Sequence, residues 1–544
     1  MGVARTTRTG QGESTETESR VALTRREAVR RAAVGALALS LPGLAPAAAH
    51  AATAASGPKR GGRLRVGMVG DASSETLDFN RVVDEIGSTR LNNLYEGLFT
   101  WDKTGKTVNI LAQGASSNQD ASVWKIKVLP GVLFHNGKTM TADDVVYSFH
   151  YMLDPKNNSL ALTILKPIVK AANIRKLDRY TVEFRLNAPN SLFPDMIADR
   201  LFKIIPSGTT AHQLANAPIA TGPFKFDSWT RGERSLFVRF NDYHMHPLPY
   251  LDELEIISIN DPTARLNALV AGQIDALGQL DFTLAPIVKA NPKLQLMNIQ
   301  GATYTNFCMQ GNRPPFNDVR VRQAFKLMTD RKQMIATALS GYGRIGNDIP
   351  SWFDPNYAAN LPQQAYDPEK AKALLKAAGH EGLTVSLSTS DVAPGMLASS
   401  TVLAEQAKAA GVTINLKQWP TSSYWASGYI KPAWPMACSN WGGRGLAAMF
   451  AWVYQTGAPD AESAWPQTDP QWQVALRKTL ATTNKGKLHT ALIDLQQQLW
   501  EKDGEIIWAF LSNVDALSSR VKGLPPSVMR PLGDYDFKLA YLTA

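Results

Sequence analysis

The chain has 544 residues, 44% of them hydrophobic and 19% charged, with 39 Gly and 32 Pro. At roughly 100–200 residues per domain that length calls for several domains or lobes, and the composition excludes wholesale disorder and a fibrous repeat. Only two cysteines are present, which excludes a disulfide scaffold or a multi-Cys metal framework, and the net charge of +10 is dispersed, with no dense basic run after Arg31, which argues against a nucleic-acid partner.

Thr24-Arg25-Arg26-Glu27-Ala28-Val29-Arg30 is a basic segment with paired arginines. Residues 32–45 are small, apolar and uncharged, and Ala49-His50-Ala51 puts small residues at the −3 and −1 positions of a cleavage site. The apolar run is short of the ~20 residues that a spanning helix needs. Residues 1–51 therefore read as an export signal. The paired arginines resemble the twin-arginine translocation motif, with Ala28 where that motif carries Phe. No cysteine follows the apolar run directly, so no lipid anchor is expected, and no later stretch is long and apolar enough to span a membrane.

Residues 52–61 are Ala/Ser/Gly/Pro/Lys-rich and read as a linker. Leu64–Met68 begins the strands, Trp124–Val128 alternates with Trp124, Ile126 and Val128 on one face, and Tyr180–Leu186 repeats the pattern. Thr141 caps a predicted helix, with Asp144 in the capping-box position and Met140 and Val145 at the staple positions. Leu254–Ile259 is a further strand. A helix begins at Asp318, with Val321, Ala324, Phe325 and Met328 on one stripe. Asp367-Pro368 opens another helix and Gly379 ends it, followed by strands at Thr384–Leu387 and Val412–Leu416. Strands mixed with helices throughout give an α/β class.

Tests for catalytic or metal chemistry return little. Gly-Lys-Thr occurs at Gly105 and Gly137, but a phosphate-binding loop needs another Gly five positions earlier, where Thr100 and Val132 stand. No Gly-x-Ser-x-Gly elbow and no His-Glu-x-x-His is present. His244 and His246 could share a strand face and bind metal, or sit in a surface loop between Asn241 and Pro247. Cys308 and Cys438 are either a disulfide or two buried thiols.

Other blocks match something. Leu94-Tyr95-Glu96-Gly97-Leu98 is followed by Trp124-Lys125-Ile126-Lys127-Val128-Leu129-Pro130-Gly131 and then by Phe134-His135-Asn136-Gly137-Lys138-Thr139-Met140-Thr141-Ala142-Asp143-Asp144-Val145. Thr221-Gly222-Pro223-Phe224, Ala271-Gly272-Gln273-Ile274-Asp275-Ala276 and Pro315-Phe316-Asn317-Asp318-Val319-Arg320 come later in order. Together, over about residues 61–525, they resemble the extracellular solute-binding proteins of family 5, which include peptide- and nickel-binding components of ABC importers. The resemblance implies a two-lobed periplasmic-binding-protein clamp with mixed sheets. Lobe one would hold residues 62–305 and 508–544, with an inserted subdomain at about 95–215, and lobe two residues 306–507. Asn-Gly and Pro-Gly pairs are turn formers and Asp143 and Asp144 suit a helix N-terminus, so these blocks are scaffold.

The resemblance places ligand contacts elsewhere. One stretch maps to Val83, Asp84 and Glu85; another is the loop Asn440-Trp441-Gly442-Gly443-Arg444, with Tyr304 near the crossing. Peptide-binding relatives hold the ligand's amino terminus with an Asp near that loop, whereas this chain has no acid between Asp391 and Asp460 and presents Arg444. A guanidinium suits a carboxylate or phosphate. Arg444 could equally form an internal salt bridge, and Trp441 could be a core anchor rather than a ligand wall. The function implied is a periplasmic, monomeric, non-enzymatic component that captures a peptide-like or other small solute, an anionic one included, and hands it to an inner-membrane permease with ATPase subunits. No cofactor or metal is implied. The alternatives are a secreted peptidase or esterase and a carrier of metal or haem chelates.

Overall fold

A computed structural model describes residues 57–70, 75–421, 423–429, 434–458, 460 and 462–543. The export signal, the linker up to Ser56 and the paired arginines lie outside the described residues. Ten strands form one path: Thr413–Gln418, Thr384–Thr389, Met436–Trp441, Leu294–Met309, Glu505–Ser518, Ala276–Leu277, Arg63–Met68, Glu253–Ser258, Arg234–Arg239 and Phe224–Thr230. Gly343–Ile345 adds an eleventh strand on Glu505–Ser518. The path is continuous because two long strands, Leu294–Met309 and Glu505–Ser518, run antiparallel through its middle. Their pairing slips between Gln300 and Tyr304 and again between Thr305 and Asn306, where the chain passes from one half of the sheet to the other. A separate antiparallel sheet orders Ala112–Ser117, Val123–Val128, Thr181–Leu186 and Val169–Asp178.

Local chemistry accounts for many elements. The Asp144 carboxylate accepts from the Thr141 amide at 2.9 Å at the start of Ala142–Leu153, and Met140 and Val145 are fully buried as the staple requires. Asp318 caps Val319–Leu327, whose Val321, Ala324 and Phe325 are buried, with Met328 just beyond it. Asp367 caps Pro368–Ala377, and Gly379 follows with φ +77°, a conformation a side chain would strain.

The apolar residues separate into clusters. One draws its buried members from residues 307–511, Phe325, Leu387 and Trp508 among them. A smaller one joins Leu266 and Leu277 to Val514 and Ala516. The largest holds the first strand and the four-stranded sheet, and it also takes in Trp441, Phe450, Trp472 and Leu495. The helices Pro470–Leu480 and Lys485–Lys502 thus pack toward the four-stranded sheet's neighbourhood. Two hydrogen bonds seal that seam: the Ser191 amide to the Leu480 carbonyl at 2.7 Å and the Thr483 hydroxyl to the Gln119 carbonyl at 3.1 Å. No helix among the described residues is long and apolar enough to cross a membrane.

Candidate ligand-binding site

The strand Met436–Trp441 pairs with Leu294–Met309 so that Tyr304 faces Trp441 and Thr305 faces Asn440. Tyr304 and Trp441 are both buried, and Tyr304 packs edge-on against Phe510. Asn440 donates to the Thr305 hydroxyl at 3.2 Å. Beyond the strand, Arg444 turns back over the sheet. Its guanidinium carbon lies 5.1 Å from the Trp441 ring and 5.0 Å from that of Trp452. Its Nε stands 3.3 Å from Asp199 Oδ2, a carboxylate on the segment after Phe193–Met196, and its Nη1 donates to the Gly442 carbonyl at 3.3 Å. Burial lowers the pKa of Arg444, and the Asp199 charge opposes the shift.

Next to this pair, Gly443 closes one wall of a cavity of about 20 Å³ whose other walls include Arg200, Lys203, Arg530 and Asp534. Arg200 donates from Nη1 to the Val82 carbonyl at 2.9 Å. Lys203 is 8% exposed, and its ammonium has no hydrogen-bond or ion-pair partner among the described residues. Burial first, and then the charge of Arg530, bring Arg200 down to about 10 and Lys203 to about 8. Burial opposes ionisation of Arg530 as well, but Asp534, Glu85 and Asp199 outweigh it and raise its pKa. The Asp534 carboxyl is pushed up to about 6, chiefly by burial. A second cavity of about 190 Å³ lies on the far side of the same loop, against Gly445, Leu446 and Asp354, and Trp101 lines both. Gly443 has no room for a side chain: a Cβ there would lie 2.5 Å from the Ala302 Cβ and 3.0 Å from the Met529 carbonyl oxygen.

The stretch 83–85 divides. Val83 is 64% exposed. Asp84 caps the helix Glu85–Leu94, accepting from the Gly87 amide at 2.8 Å. Glu85 has a buried Oε2 without a hydrogen-bond partner among the described residues, and its charge acts on Arg200 and Arg530. Of the predicted residues only Gly443 lines the small cavity; Glu85 acts by its charge on two of the cavity's cations, Arg444 lies over the Trp441 ring, and Val83 faces solvent.

Below the aromatic layer lies a group of buried acids. Tyr454 donates to Glu505 at 2.8 Å, Asn306 to Glu462 at 2.9 Å, and Tyr429 to the other Glu462 oxygen. Asp460 is raised to about 8 by burial and then by the Glu462 charge. The His244 ring nitrogen is 2.9 Å from buried Glu96, and among the described residues no group of three or more His, Cys, Asp or Glu is placed to hold a metal. Cys308 and Cys438 are free and buried. Cys308 is opposite Ala437 and Cys438 opposite Phe307, so the thiols point to opposite faces of the sheet.

Sequence reasoning passed over Arg200, Lys203, Arg530 and Asp534. The signal for the first two was modest: two cations within the apolar run Met196–Ile205, where a solvated face would have been expected.

The sequence profile of the bacterial extracellular solute-binding proteins, family 5 Middle, matches residues 106–463. The glutathione-binding protein GsiB of Pectobacterium atrosepticum is 26% identical, the match covering 86% of this chain and 92% of that protein. The match to GsiB of Escherichia coli (strain K12), also 26% identical, covers 56% of this chain and 59% of that protein. Among solved structures, the periplasmic binding protein AgaA from A. tumefaciens R10, in complex with agropinic acid, superposes with a TM-score of 0.75 at 25% identity over 89% of this chain and 99% of that one. The Helicobacter pylori protein DppA, bound to the peptide STSA, has a TM-score of 0.75 at 20% identity over 89% and 99% and shows the shared fold.

Proposed function

The chain belongs to the bacterial extracellular solute-binding proteins of family 5, and from that premise we propose that it closes two lobes on one small solute and presents the closed form to a membrane permease. It is a substrate-binding component of an ABC importer and not an enzyme. The lobes are residues 62–305 with 508–544 and residues 306–507, with an inserted subdomain at about 95–215. The solute lies between them, at the loop Asn440–Arg444 and beside Glu85, Tyr304 and Trp441. The observation that supports this reading most directly is the pair of cavities flanking that loop, both lined by Trp101. Enclosed apolar area with a few polar anchors is how such sites bind. A ligand drives closure only by touching both lobes, since only differential affinity shifts the equilibrium.

The relatives bind glutathione and agropinic acid by name, so peptide-like solutes bearing carboxylates are the class to test first. The protein is exported to the periplasm through its twin-arginine segment, acts as a monomer and carries no lipid. Mass spectrometry of small molecules released on denaturation, with solution scattering before and after their return, tests the reading. A recovered solute that contracts the radius of gyration supports it; a solute that binds without contraction refutes clamp closure.

A further inference from the structure

Three cations line the small cavity, and none of them is closed into an ion pair among the described residues. Arg444 and Asp199 form an ion pair with each other at 3.3 Å. Arg200 spends one nitrogen on a backbone carbonyl. Lys203, buried to 8% exposure, and Arg530 have neither a hydrogen bond nor an ion pair from their side chains among the described residues. The acids whose charges act on them are Asp534, within the cavity, and Glu85, Asp199 and Glu96, outside its lining. None of them forms an ion pair with the three cations: Asp199 is paired with Arg444 and Glu96 with His244, and burial raises the Asp534 pKa to about 6. A buried charge without a partner is costly, and a structural role would be expected to supply one. The three cations share the cavity's lining with Gly443, whose backbone is packed against Ala302 and Met529 too closely for a side chain.

We propose that Arg200, Lys203 and Arg530 form the receptor for a carboxylate group of an anionic solute, which lies against Gly443 when the lobes close. The proposal rests on the clamp reading above and adds the charge class of its ligand. It moves the anion contact from Arg444, which is internally paired, to three residues on two other segments. A cavity of about 20 Å³ holds little more than one water-sized group. The head group is therefore small, a carboxylate rather than a bulkier anion, and two guanidiniums beside it suit a planar two-oxygen acceptor. The larger cavity beyond Trp101 leaves about 190 Å³ for part of the remaining solute, with Leu446 and Leu492 as apolar walls.

The test is a set of thermal melts at matched ionic strength with glutathione against its diethyl ester and glutarate against glutaramide. The acids should raise the melting temperature and the neutral partners should not. Lys203→Met should melt at the same temperature as the parent or higher, since it removes an unpaired buried charge, while its affinity for the responding acid falls by about tenfold or more. Arg530→Gln should weaken the same response. If Lys203→Met melts lower and keeps the acid response, Lys203 is structural and the inference is overturned. If the ester or amide binds as tightly as the acid and contracts the radius of gyration, the clamp reading stands and the anion inference fails. Silence of both acids and both neutral compounds overturns the inference for carboxylates of this size; the clamp reading is then judged separately, on the solute recovered from the protein.

Discussion

Replacing Arg444 tests whether this residue belongs to the ligand or to the protein. Its side chain is 12% exposed and that of Asp199 1%, so the pair is largely shielded from screening. Removing one partner of a buried pair costs about 3–5 kcal/mol because the other charge is left uncompensated. Here the lower end applies, since Asp199 keeps the Leu201 amide at 3.1 Å and acts also on Arg530. Loss of the cation over the Trp441 and Trp452 rings adds about 1 kcal/mol. Arg444→Ala should therefore lose about 4 kcal/mol in urea unfolding, and Asp199→Asn about 2–3 kcal/mol. The double variant should be more stable than additivity predicts by about 2 kcal/mol, as expected for groups in contact. On the proposed lobe division Asp199 and Arg444 fall on opposite lobes, and either variant should then also enlarge the unliganded radius of gyration. Additivity to within about 0.5 kcal/mol would show that the pair does not couple. Unchanged unfolding with lost solute binding would return Arg444 to the ligand.

Gly443→Ala should lower stability by about 1–3 kcal/mol in thermal melts, because its Cβ would meet Ala302 and the Met529 carbonyl in a packed wall. Asp460, with its folded pKa raised to about 8 from 3.8, holds a proton in the folded state that the unfolded chain releases, so it makes stability fall as pH rises between those values. Asp460→Asn should flatten that part of the slope, and the parent-minus-variant stability should be lower at pH 9 than at pH 5. The thiols of Cys308 and Cys438 should stay unreactive toward a thiol reagent in the native protein and give two equivalents per chain on denaturation without reductant; none would mean a disulfide.

The legible part of the fold was the part whose pattern is local. The capping box at Thr141, the stripe on Val319–Leu327 and the alternating strand Val123–Val128 each carry their signal within a few residues. Glu505–Ser518 escaped because it is buried along nearly its whole length, and a strand covered on both faces shows no alternation. The site divided in the same way. The loop Asn440–Arg444 could be located from neighbouring sequence blocks, but whether Arg444 was free or paired depended on Asp199, which only the fold brings to 3.3 Å.

The cavity cations show the limit from the other side. Arg200 and Lys203 occupy a buried run and Arg530 comes from near the chain's end, so no window of sequence holds all three. Their meaning lies in pairing rather than in a motif: cations are brought together, and the acids near them form no ion pair with them. Four cations, counting Arg444, lie within reach of Asp199, Asp534, Glu85 and Glu96, but among these groups only the Arg444–Asp199 pair is closed, and Glu96 is taken by His244. A chain that binds nothing anionic would gain stability by replacing Lys203 with an apolar residue, because burial, and then the charge of Arg530, drive its ammonium toward neutrality near pH 8. The stability of such a variant is therefore as informative as its binding. Between pH 8 and 10.5 the unfolded state binds more protons at this site than the folded one, so the parent should gain stability with rising pH there, and Lys203→Met should lose that slope. At pH 7 the variant should exceed the parent by about 3 kcal/mol if the whole shift is realised. A parent without the slope would mean that Lys203 already has a counter-charge, and the unpaired buried cation on which the cavity argument stands would be gone.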